Sequence, residues 1–282
     1  MITKPILFQK LTDAEINEIV KRDTVVIIPA ATLEDHGPHL PVDTDVVIAE
    51  AICRELALKI PEQVVLMPCI NIGYSPHHID GPGTVTIEWD TFINYCKDIT
   101  RSLIHHGFRR LLFVNAHGSN HPVLDMAARL TNVENPEARC ALVSWWNLKK
   151  VQQAVQAFRE SEITGHGCEL ETSLYLAIEP EAVNMNLAVK DYTHPRSAHF
   201  WADLVGQSSD PEAGNPVNLN EYWSTVSETG VWGDATVATR EKGEIILAAA
   251  SDELCEIVEE FLARPIRERV ARQGFTPKYA KY

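Results

Sequence analysis

The chain is short of basic residues: 25 Lys and Arg stand against 39 Asp and Glu, a formal net charge of -14 over 282 residues. That deficit argues against a nucleic-acid partner, which calls for clustered Lys and Arg. Apolar runs of about 18 residues are missing too, so the sequence predicts no membrane-spanning helix. The N-terminus has no basic start followed by an apolar stretch, and no secretory leader is expected. Six cysteines occur, at 53, 69, 96, 140, 168 and 255, and none are spaced C-x-x-C. Most sit inside apolar runs, where a free thiol packs as a small hydrophobe, and a reducing cytosol is the expected setting. Repeats, low-complexity tracts and an interdomain linker are absent, so residues 1–282 read as one domain. What is present is a globular composition, 45% hydrophobic and 23% charged. A chain of this length can bury about three quarters of its unfolded surface.

The organisation is a regular alternation. Thr12-Asp13-Ala14-Glu15 is a capping box that announces a helix. Thr24 to Ala30 is a β-branched run without polar alternation, as in a strand buried on both faces of a parallel sheet. Further strands are predicted at Val64–Pro68, Leu111–Asn115 and Ala141–Trp145, with helices at Val46–Leu58, Trp89–His106, Val123–Leu130, Glu169–Ala177 and Glu244–Ala263. Strands alternating with helices predict an α/β fold with a mostly parallel sheet. The stretch from Asp191 to Glu228 breaks the rhythm with Pro195, Pro211 and Pro216 beside Trp201, Tyr222 and Trp223. It reads as a long excursion, a lid or a subunit contact.

The polar clusters fall where strands end, which is where ligands bind in such sheets. Glu34 and His36 follow the first buried strand, and positions i and i+2 of an extended segment point the same way. Asp45 opens the next helix, whose N-terminus favours an anion, and its two oxygens suit it to bridge two cations. His117 ends a different strand. Mixed imidazole and carboxylate donors suit Zn²⁺ or Mn²⁺, and such a centre activates water for hydrolysis. Each residue alone is usually a solvated loop residue or a cap. Taken together, Glu34, His36, Asp45, His117 and His166 all fall where strands or helices end, which leaves a metal site and that plain reading evenly matched. Glu169 and Glu171 stand near a helix start, where a capping pair is the plainer reading. Two apart on a helix, they would point roughly 200° from one another.

The run from Leu33 to Asp45, LEDHGPHLPVDTD, resembles the signature of the creatininase family. Pro82-Gly83-Thr84, Asn115 to Asn120, His166 to Ser173, Gly230 to Asp234 and Ala238 to Gly243 are similar to its later motifs, in the family's order. The resemblance implies a three-layer α/β/α sandwich and two divalent metal ions, Zn or Mn. It implies Glu34, Asp45 and His117 on one metal, with His36, the shared Asp45 and a further glutamate on the other. In creatininase proper that glutamate stands two positions after the strand-end histidine, where this chain has Ser119. Other family members carry it in the segment similar to His166 to Ser173, so the resemblance implies Glu169 as the compensating ligand, with Glu171 supporting the helix start or the ligands from behind. His166 matches a histidine that works beside the metals as acid/base or substrate anchor. Trp146 falls near an aromatic that covers creatinine, and equally reads as a core tryptophan. The loop Ser75 to Gly81 departs from the family's usual S-x-E-H-x-x-F; its His77, His78 and Asp80 are expected either to bind a hydroxylated substrate or to form an exposed loop.

The expected function is a metal-dependent hydrolase opening a small polar ring, a cyclic amide or an inositol-derived ketone. The alternatives are a formamide deformylase on a nucleotide-like precursor and a non-catalytic scaffold with a relic metal site. The resemblance also implies a homo-oligomer, a hexamer by analogy.

Overall fold

The protein is described here from a computed structural model, covering residues 5–197, 199–200, 203–205 and 217–270. Residues 198, 201–202 and 206–216 of the expected excursion, Trp201, Pro211 and Pro216 among them, lie outside the described residues.

Four strands make the central sheet: β1 (Val25–Ala30), β2 (Val64–Leu66), β3 (Arg110–Asn115) and β4 (Arg139–Ser144). They run parallel in the order β2-β1-β3-β4. All six residues of β1 and all six of β3 are buried, the unalternating pattern of strands covered on both faces. Val25 and Ile27 face one apolar cluster, and Val26 and Ile28 face another, because side chains alternate along a strand. The first cluster is completed by α2 (Thr44–Lys59), α5 (Lys149–Phe158), α6 (Glu169–Ile178) and α7 (Arg240–Ala263). The second is completed by α1 (Asp13–Ile19), α3 (Trp89–His105) and α4 (Asn120–Glu134). The result is the three-layer α/β/α sandwich. Each fully buried Ile or Leu in these layers contributes about 1.5–3 kcal/mol.

A small antiparallel sheet, which the sequence reading did not foresee, lies beside the main one. It joins β5 (Thr164–His166), β6 (Lys190–Asp191) and β7 (Trp232–Asp234) in the order β5-β7-β6. It carries His166, paired opposite Trp232.

Helix ends follow the local chemistry. In α1 the Thr12 side chain accepts from the Glu15 backbone N–H, and the Glu15 carboxylate accepts from the Thr12 N–H at 2.8 Å. Helix α4 starts at Asn120, two residues before Pro122, because the first turn needs no donor from proline. All six cysteines are free. Among the described residues no helix is long and apolar enough to cross a membrane.

Candidate metal centre

Each element delivers its side chain from the C-terminal edge of the main sheet. After β1 the chain runs through an extended segment pinned by the Glu34 N–H donating to the Val42 carbonyl at 3.0 Å. Glu34 and His36 both project from it into the interior and are buried. Asp45 lies in the first turn of α2. His117 follows β3, held by Asn115, whose side chain accepts from the His117 N–H at 3.1 Å and donates to its carbonyl at 2.8 Å.

These side chains converge on Asp45. One Asp45 oxygen lies 3.2 Å from His36 Nε2, and the other lies 3.3 Å from His117 Nδ1. His117 Nδ1 is also 3.1 Å from Glu34 Oε1. Donors on a tetrahedral shell of 2.0–2.1 Å sit roughly 3.3–3.4 Å apart, so each of these pairs is spaced as two ligands of a common ion would be. Two triads share Asp45: Glu34, Asp45 and His117, and His36, Asp45 and Glu171. A third grouping joins Glu34, His36 and His166.

The donor set fits a metal on a second count. Buried His36 Nε2 and Asp45 Oδ2 complete no hydrogen bond within the protein, although an unpaired buried polar atom is costly. Their partners on the outer side are in place: His36 Nδ1 donates to the Glu34 carbonyl at 3.1 Å, and His117 Nε2 donates to the Tyr74 carbonyl at 3.2 Å. Those bonds leave the inward nitrogens as lone-pair donors, the arrangement that metal-ligating histidines adopt.

Electrostatics point the same way. Burial alone would depress His36 and His117, but Asp45 beside His36 and Glu34 beside His117 push both up to about 10. Burial opposes ionisation of Glu34 as well, yet His117, His78 and His166 hold its carboxyl well below the usual range. Burial, with Asp45 and Glu34 nearby, raises Glu171 to about 7 against the pull of His36. The carboxylates thus demand positive charge at this spot, from protons or from cations.

The expectation for Glu169 is overturned. Its carboxylate is fully buried but turned away, accepting from Lys242 Nζ at 2.6 Å and from the Ser161 N–H at 2.8 Å. Glu171 Oε2 instead lies 3.9 Å from His36 Nε2 and accepts from the Gly167 N–H at 2.6 Å. The two glutamates do point apart on the helix. The inward one is Glu171, because Glu169 is claimed by a lysine.

His166 Nε2 donates to the Asp35 carbonyl at 2.7 Å, which turns Nδ1 towards Glu34 at 3.7 Å. Burial and the neighbouring His36 hold this ring well below its usual pKa. His78 is buried, 4.0 Å from Glu34, with burial pushing it down to about 3. His77 lies 3.2 Å from Ser119 Oγ. Asp80 is exposed and accepts from Ser224 Oγ, so its carboxylate is engaged outside the centre. Trp146 belongs to the apolar core and packs edge-on against Trp145, as its core reading expects.

Residues that the sequence reading assigned elsewhere, or left out, also gather here. Ser75 Oγ donates to Glu34 Oε2 at 2.6 Å. Trp223, expected in a lid or subunit contact, stacks on His78 at 4.6 Å between centroids and lies 5.0 Å from the His166 ring. Asn220 donates to Ser119 Oγ at 3.1 Å. The excess of Trp and Tyr in the excursion was the signal for Trp223 and its neighbour Asn220, and the departure of the loop Ser75 to Gly81 from the family pattern was the signal for Ser75.

Known proteins share this architecture. Creatinine amidohydrolase of Pseudomonas putida is 28% identical over 274 residues, covering 92% of this chain and 98% of that protein. A 3-dehydro-scyllo-inosose hydrolase of Thermotoga maritima is 28% identical over 284 residues, covering 92% and 84%. A solved structure described as "Creatininase Mn" superposes with a TM-score of 0.75 at 28% identity, covering 92% of this chain and 99% of that one. The family model described as creatinine amidohydrolase matches residues 9–258. With that match over most of its length and two ligand triads sharing Asp45, the chain belongs to the creatininase family and is a metal-dependent hydrolase.

Proposed function

We propose that this protein opens a small polar ring, a cyclic amide or an inositol-derived ketone, by attack of water on its carbonyl carbon, in a site whose residues would hold a pair of divalent cations. The observation that carries this reading is Asp45, shared by two triads, with its Oδ2 and His36 Nε2 buried and completing no hydrogen bond within the protein. When bound, a Zn²⁺ or Mn²⁺ pair lowers the pKa of water and polarises a carbonyl oxygen.

The residues divide the work. Glu34, His117 and one oxygen of Asp45 would hold one ion; His36, Glu171 and the other oxygen would hold the second. His166, neutral and with Nδ1 turned inward, accepts the proton of the attacking water. It then returns that proton to the atom that leaves: the ring nitrogen when a C–N bond breaks, or the ring carbon when a C–C bond breaks. Ser75 holds Glu34 in place from the far side. His78 and Trp223 form an apolar-faced wall, and His77, Ser119 and Asn220 form a neutral hydrogen-bonding edge.

That edge supports a hydroxylated substrate over creatinine. A site built to hydrogen-bond hydroxyl groups rejects an analogue without them strongly, and Ser119 supplies no carboxylate. The test is turnover of creatinine, other cyclic amides, inositol-derived ring ketones and N-formyl compounds with Mn²⁺ or Zn²⁺ supplied. The expected result is ring opening of a hydroxylated ketone or lactam, with creatinine far slower. Creatinine turnover above roughly 10⁴ M⁻¹s⁻¹ in kcat/KM, an ordinary enzyme value, would overturn the substrate assignment.

A further inference from the structure

The late motif Ala238 to Gly243 contributes nothing to the metal triads, yet its lysine reaches beneath them. Lys242 is buried at the start of α7. Its ammonium donates to Glu169 Oε1 at 2.6 Å, to Glu160 Oε1 at 2.6 Å and to the Val237 carbonyl at 2.8 Å. Glu169 in turn accepts the backbone N–H groups of Glu160 and Ser161. One ion pair therefore ties together the first turn of α6, the segment leading into β5, and the loop before α7. Glu171 stands in that same first turn, and His166 ends β5. Gly243 makes the reach possible: a Cβ there would lie 1.9 Å from the Ser173 carbonyl oxygen, so only glycine lets α7 lie this close to α6.

We propose that Lys242, through Glu169, is the positioning residue that aims Glu171 at the second cation site. The proposal rests on the metal reading above. The first triad is carried by the β1 and β3 edges and by α2, none of which the ion pair touches. The second depends on the rotation and depth of the first turn of α6. A carboxylate displaced by about 1 Å is no longer a ligand at bonding distance. Loss of the lysine should therefore weaken one cation and spare the other.

Metal-free protein titrated with Mn²⁺ by calorimetry reads this directly. Wild type should take two equivalents. Lys242→Met should weaken one by tenfold or more and leave the other within about twofold, and Lys242→Arg should recover much of the loss. Glu171→Gln should weaken the same equivalent, and the double variant Lys242→Met/Glu171→Gln should be little worse than either single one, as for residues acting through one another. An unpaired buried carboxylate can prevent folding; if Lys242→Met does not fold, Lys242→Met/Glu169→Gln removes both charges and carries the same expectation. Two wild-type affinities in whichever variant folds, or an equal fall in both, would overturn the proposal. Wild-type protein that takes up no Mn²⁺ would overturn the metal reading itself, and this proposal with it.

Discussion

Asp45 touches both halves of the centre, and that fixes what its loss should do. Removing its carboxylate takes one donor from each triad, so Asp45→Ala should purify without either ion, whereas His117→Ala should lose mainly one. Elemental analysis against protein concentration checks this, and full occupancy in Asp45→Ala would refute the shared role. A proton count follows from the same geometry. With His36 and His117 both at about 10 before a cation binds, both are protonated at pH 7. A cation must displace those protons, so affinity should rise with pH up to about 10. Calorimetry in buffers of different ionisation enthalpy should show proton release at pH 7; none would contradict the raised pKa values. The gathering of Glu34, His36, Asp45 and His117 at one place was legible in the sequence because each stands near a strand or helix end. The choice between Glu169 and Glu171 was not, because it turns on Lys242, 73 positions after Glu169.

At the scale of elements, the contact between α6 and α7 sets a test where helix propensity and packing disagree. In an exposed helix, Gly→Ala gains about 1 kcal/mol. At Gly243 the added methyl would meet the Ser173 carbonyl at 1.9 Å, and overpacking of this kind costs about 1–3 kcal/mol. Gly243→Ala should therefore lower the thermal midpoint and weaken the second cation; a raised midpoint would contradict the packing account. The strands β1 and β3 were readable because two covered faces leave an unbroken apolar run. Helix α5 was equally legible, since Val151, Ala154, Val155 and Phe158 recur at helical spacing; the reading of the sequence passed over it. Strands β5, β6 and β7, two or three residues each, are too short to show any period. Their pairing comes from distant partners. Helix α4 begins three residues earlier than the predicted Val123, because proline is tolerated in a first turn.

For the whole molecule, the acidic balance and the exposed Leu219 and Tyr222 near the centre frame the question of assembly. These side chains belong to the stretch whose Asn220 and Trp223 reach the histidines, so a subunit contact there would also order the wall of the site. We expect a homo-oligomer, a hexamer by family resemblance. Light scattering should report several times the 31.5 kDa chain mass, and Leu219→Glu/Tyr222→Glu should reduce it; a monomer at micromolar concentration would contradict this. The central claim is that two cations sit on either side of Asp45, with Glu171 completing the second set. Anomalous scattering from crystals grown with Zn²⁺ tests it most directly. The account predicts two peaks flanking Asp45, with a Glu171 oxygen about 2.0–2.2 Å from the one beside His36 and Glu169 still on Lys242. A single peak, or one ligated by Glu169, would contradict it.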